Sequence, residues 1–111
     1  MTITVYERRT CTKCRQLAAL LSERGVDFEC VEFHVEGLTD SQLRDLVARA
    51  GVPAWALLRM REPGASALRE ADDDTVIKAM VARPALLERP IVVNGPRAVL
   101  ARPTERVLEI L

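Results

Sequence analysis

Apolar and polar positions alternate over residues 2–7, with Ile3 and Val5 on one side and Tyr6 closing the run. A two-residue period of this kind predicts a strand. From Cys14 the spacing changes. Cys14, Leu17, Ala18 and Leu21 recur at i, i+3, i+4 and i+7, which predicts a helix over 12–24, ended by Gly25. Residues 27–33, Asp-Phe-Glu-Cys-Val-Glu-Phe, contain a second strand with Phe28, Cys30 and Glu32 on one face. Strand, helix and strand at this spacing make a βαβ unit, whose two strands run parallel.

The next stretch is helical. Thr39 and Gln42 have the spacing of a capping box, and Leu43, Leu46, Val47 and Ala50 form the apolar stripe of the helix behind it, ended by Gly51. Pro53 starts a further turn through Ala54 to Leu58, and Pro63-Gly64 marks a turn. Asp72 to Asp74 supply N-cap candidates for a helix with Val76, Ile77, Met80 and Val81 as its buried stripe, stopped by Pro84. Residues 39–87 therefore read as a compact helical insertion.

The chain then returns to strands. Ile91-Val92-Val93 is one, Asn94-Gly95 is a strong hairpin turn, and Arg97 to Leu100 come back, with Pro96 pointing to a sheet edge. Pro103 opens a last helix with Val107, Leu108 and Leu111 on its apolar face. The order β-α-β, helices, β-β-α predicts an α/β fold of thioredoxin-like type. It has a mixed four-stranded sheet and an all-helical insertion at about 39–87 in a single domain spanning 1–111.

Chemistry concentrates between the first strand and the first helix, at Cys11-Thr12-Lys13-Cys14. A Cys-x-x-Cys in that place reads as a redox motif. Cys11 stands at the helix start, where unpaired backbone N–H groups and the helix dipole stabilise a thiolate. Cysteines so placed have pKa values of roughly 3.5–7.5. Cys14, one turn on and on the same face, can attack whatever Cys11 has bonded to. Two small buried hydrophobes or half a zinc site are the alternatives, but no second Cys/His pair has ligand spacing, so no metal is expected.

Composition narrows the partners. Lys and Arg balance Asp and Glu to a formal net charge of zero, so bulk charge implies no nucleic acid. No run approaches a membrane span and no secretory leader opens the chain, so a cytoplasmic protein with reduced thiols is expected. Fourteen Arg against two Lys leaves room for a few planar forks that bind an oxyanion. Cys30 reads as a buried small hydrophobe and His34, the only histidine, as a strand-end surface residue. Tyr6 and Trp55 read as packing, and Asp72 to Asp74 as a solvated cap.

Beyond these local signals, the chain resembles the glutaredoxin-dependent arsenate reductase and Spx family nearly end to end. Ile3-Thr4-Val5-Tyr6 followed by Thr10-Cys11 resembles its first strand and nucleophile loop. Ala56-Leu57-Leu58-Arg59 is similar to its helical segment ending in arginine. Arg89-Pro90-Ile91-Val92-Val93 and Arg102-Pro103-Thr104-Glu105-Arg106-Val107-Leu108 are similar to its two further arginine motifs. The resemblance implies that Cys11 is the nucleophile, that Arg59, Arg89 and Arg102 hold an oxyanion such as arsenate, and that Pro90 is a cis-proline facing the reactive cysteine. It implies no tightly bound cofactor, with glutathione, glutaredoxin or thioredoxin as reductant.

The chain also departs from that pattern. Glu7-Arg8-Arg9 replaces the reductases' His-Asn-Pro, and Cys14 stands where they carry Ser, a feature similar to Spx. Spx-type members lack the last arginine motif, which is intact here as Arg102-Pro103. The leading expectation is an arsenate reductase-like enzyme in which Cys14 is a second catalytic thiol. The alternatives are a redox-sensing regulator that binds RNA polymerase and a general disulfide- or glutathione-linked oxidoreductase.

Overall fold

Strands and helices fall in the segments whose periods predict them in the structure, a computed structural model that describes residues 3–8 and 10–111. Thr2, where the predicted first strand begins, and Arg9, in the loop before Cys11, lie outside the described residues. Strand β1 is Ile3–Glu7, helix α1 Thr12–Glu23 and strand β2 Phe28–Glu32. A one-turn helix α2, Phe33–Glu36, follows. The insertion holds α3, Asp40–Ala50, and α4, Asp73–Ala82, with short 3-10 turns at Ala54–Leu57, Ser66–Leu68 and Pro84–Leu86. Strands β3, Ile91–Asn94, and β4, Arg97–Leu100, and a 3-10 helix Thr104–Glu109 complete the chain.

Among the described residues the strands form one mixed sheet in the order β2-β1-β3-β4, with β1 parallel to β2 and antiparallel to β3. The period of two sorts its side chains onto two faces. Val5 pairs with Val92 and Val92 with Val99, and these share one face with Leu17 and Leu21 of α1 and with Val107 and Ile110. Tyr6 pairs with Ile91 and Ile91 with Leu100, and these meet the insertion on the other face. Leu17 and Leu21 have no exposed surface, and burying each stabilises the fold by roughly 1.5–3 kcal/mol. Thr39 and Gln42 form the reciprocal capping box their spacing predicts. The bonds before Pro90 and Pro103 are both cis.

Four expectations need correction. Phe33 leaves β2 to open α2, because Gly37 at φ 75° ends a helical turn by donating to the Phe33 carbonyl at 2.9 Å. Cys30 is exposed, since β2 is an edge strand. Val81 is 38% exposed because it lies roughly 90° around the helix from the stripe of Val76, Ile77 and Met80. The last helix is 3-10 and not α. At three residues per turn Thr104, Val107 and Ile110 fall in line, and these are buried, whereas Leu108 and Leu111 are 40% and 44% exposed.

The corrected period has a direct consequence. Val107→Ala should lower stability by about 2 kcal/mol, and Leu108→Ala should stay within about 0.5 kcal/mol of the parent in urea unfolding.

Candidate active site

Strand register brings distant residues to one end of the sheet. Ile91 pairs with Leu100, so carrying the hairpin two residues further sets Arg102 opposite Arg89. Arg102 Nε accordingly donates to the Arg89 carbonyl at 2.7 Å. Tyr6 pairs with Ile91, which directs the loop before Cys11 to the same end. Arg59 arrives differently. Leu58 and Leu87 form an isolated antiparallel bridge, with the Arg59 N–H donating to Leu86 at 2.8 Å and the Glu88 N–H to Leu57 at 2.8 Å. That bridge sets Arg59 beside Glu88.

The result is a cleft of about 360 Å³ that gathers Cys11, Arg59, Arg89 and Arg102 from the sequence expectation. It also takes in Lys13 and Arg61. Cys11 occupies the N-cap of α1 and Cys14 the third helical position, 1% exposed. The cysteine side chain makes no formal cap bond, but the first-turn amides still face its sulfur. Partial burial pushes the Cys11 thiol up; the Cys14 backbone N–H and thiol, the Lys13 N–H and the Arg89 guanidinium outweigh it, and the group lies below its ordinary value. Arg102 Nη2 stands 3.9 Å from the same sulfur. Cys14 goes the other way: burial pushes its thiol up to about 12, with help from the Cys11 and Glu7 charges.

Two residues that sequence reasoning did not assign complete the surroundings. Glu88 is buried under the arginines. Its Oε1 meets Arg102 Nε at 2.8 Å and Arg59 Nη1 at 3.3 Å, and accepts from the Arg89 N–H at 3.4 Å. Its signal was an acid set between Leu86-Leu87 and a buried strand, where a lone carboxylate needs a partner. His34 is not a surface residue of a strand end. It is half-buried on α2, with Nε2 at 3.4 Å from Arg89 Nη1 and its ring tilted against Phe33, centroids 4.7 Å apart. Arg61 carried a simpler signal, two positions from Arg59.

Arg89 differs from its neighbours. It is 6% exposed, and among the described residues its guanidinium has no carboxylate partner and its Nε no hydrogen-bond partner. Among the described residues no group of three or more His, Cys, Asp or Glu gathers to hold a metal.

These contacts make two expectations. Glu88→Ala should cost about 3 kcal/mol in urea unfolding, because it leaves buried guanidinium charge unpaired. The pH dependence of Cys11 alkylation should show a thiolate forming below the usual cysteine range, and Arg89→Ala should move that midpoint upward.

The ArsC family model matches residues 6–110. The chain is 38% identical over 114 residues to the uncharacterized protein YfgD of Escherichia coli, covering 98% of this chain and 96% of that one. It is 31% identical over 114 residues to an arsenate reductase of Neisseria meningitidis, covering 98% and 97%. Among solved structures it superposes on the arsenate reductase from Vibrio cholerae with a TM-score of 0.92 and 32% identity, over 100% of this chain and 98% of that one. A match of this length, with the thioredoxin-like fold in common, means that the chain belongs to the ArsC family.

Proposed function

We propose that this chain is a cytoplasmic arsenate reductase in which Arg59, Arg89 and Arg102 hold the oxyanion against Cys11. One observation carries the reading. A buried guanidinium without a carboxylate, with one N–H unsatisfied and a thiolate-forming cysteine beside it, calls for a ligand that brings negative charge and several acceptor oxygens. A tetrahedral oxyanion has both. A protein disulfide brings neither that charge nor those oxygens.

In the proposed reaction the Cys11 thiolate attacks arsenic(V). An oxygen leaves as water after taking up protons, and a Cys11–arsenic bond remains. A second thiolate then attacks the Cys11 sulfur. A disulfide forms, the electron pair of the sulfur–arsenic bond passes to arsenic, and arsenite is released as arsenic(III). Cys14 keeps its proton at neutral pH, which favours an external thiol, glutathione with glutaredoxin, for that attack. A second reading uses Cys14 itself, with thioredoxin reopening a Cys11–Cys14 disulfide. It is favoured by the Cys14 thiol facing Cys11 and by the share of its raised pKa that comes from the Cys11 charge, which ends once Cys11 is bonded to arsenic.

Arsenate-dependent thiol oxidation tests this, assayed separately with glutathione and glutaredoxin and with thioredoxin. Cys11→Ser should be inactive with either donor, and Arg89→Ala should lose on the order of a hundredfold in kcat/KM for arsenate. Full activity of Cys14→Ser with glutathione and glutaredoxin would eliminate the internal route. If arsenate oxidises no thiol with any donor, the reductase reading fails.

A further inference from the structure

The three arginines are not held alike. Arg59 and Arg102 lie against the Glu88 carboxylate, and Arg102 also holds the Arg89 carbonyl. The Arg89 side chain has neither kind of anchor. Among the described residues its side-chain contact at hydrogen-bond range with a nitrogen or oxygen atom is His34, Nη1 to Nε2 at 3.4 Å. An arginine has five donors and no acceptor, so a contact between these two nitrogens is a hydrogen bond only if the ring nitrogen accepts.

The surroundings of the ring favour that state. Arg89 comes from the segment before β3, Arg8 from the loop after β1, and Arg59 and Glu62 from the insertion. The 3-10 turn Pro84–Leu86, packed on α2, brings no charge. Glu36, on the same helix as His34, is engaged by the Glu32 backbone N–H at 3.0 Å. Burial, then Arg89, Arg8 and Arg59, push the imidazolium below its ordinary range, against a smaller opposing effect of Glu62. The backbone fixes the ring from behind: it leans on Phe33, which has no exposed surface, and Gly37 ends the turn at once.

From this geometry we infer that His34 is a positioning residue of the oxyanion site, its neutral imidazole accepting from Arg89 Nη1 and holding that guanidinium toward Cys11. The inference rests on the oxyanion reading above and adds to it. His34 has no contact with the sulfur in this arrangement. It acts through Arg89, restraining the member of the Arg59, Arg89 and Arg102 set that does not lie against Glu88 with its guanidinium. A restrained guanidinium loses less rotamer freedom when an anion binds, so the restraint appears as affinity.

The test uses the full-length protein, with sodium arsenate protecting Cys11 from iodoacetamide and the label read at the Cys11 peptide, since Cys30 is also exposed. Near pH 8, His34→Ala should need about three- to tenfold more arsenate for half protection. His34→Gln, whose amide oxygen accepts a hydrogen bond and does not titrate, should stay within about twofold of the parent. Below the ring's depressed titration range the parent's advantage over His34→Ala should shrink toward one, because a protonated ring no longer accepts. The ionisation of arsenate and of Cys11 is common to the proteins compared.

Equal protection of parent and His34→Ala near pH 8 overturns the inference while leaving the oxyanion site standing. An advantage that grows on acidification also overturns it, since the ring then acts as an added cation and not as an acceptor. Failure of arsenate, phosphate and sulfate alike to protect the parent overturns this inference together with the proposed function.

Discussion

The carboxylate of Glu88 is the contact on which the rest of the site depends. Like charges about 6 Å apart repel by about 3 kcal/mol at an effective dielectric of 20, so guanidinium groups do not share a small cleft without a counter-charge. Glu88 supplies it from below, bridging Arg59 of the insertion and Arg102 beyond β4. One acid under this many bases leaves the cleft cationic, although the formal charge of the whole chain is zero. The positive field is a local product of folding, and bulk composition carries no trace of it.

That field separates two sulfurs one helical turn apart. Cys11 stands at the open end of α1, within reach of first-turn amides and of guanidinium charge, and ionises readily. Cys14 is buried and keeps its proton. A Cys-x-x-Cys in which both thiols were equally exposed would have no built-in order of attack. Here the order follows from the amides and guanidinium charge at Cys11 and the burial of Cys14.

Much of this was legible in the sequence because it depends on local periods. Alternation in β1, the i, i+3, i+4 stripe of α1, the Thr39/Gln42 box and the Asn94-Gly95 turn each carry their own signal, and together they specify the order of elements along the chain. Cys11 and the arginine motifs were visible for a different reason, their resemblance to a known family. What escaped is what depends on distant contact. Glu88 acquires its partners only through the Leu58–Leu87 bridge. His34 meets Arg89 across 55 residues of chain. The terminal helix was misjudged on local grounds, since Val107, Leu108, Ile110 and Leu111 fit two helical periods and only packing against β3 and β4 chooses between them.

The β3–β4 hairpin carries a further implication. Its turn sets Val92 against Val99 in the core and, through the same count, Arg89 against Arg102 at the site. A one-residue change of turn length would reverse the faces of β4, taking Val99 off the α1 face and Ala98 and Leu100 off the insertion face. Core and chemistry therefore share a single ruler. Evolution can alter the identity of the arginines one at a time, but it cannot adjust their spacing without first unmaking the fold.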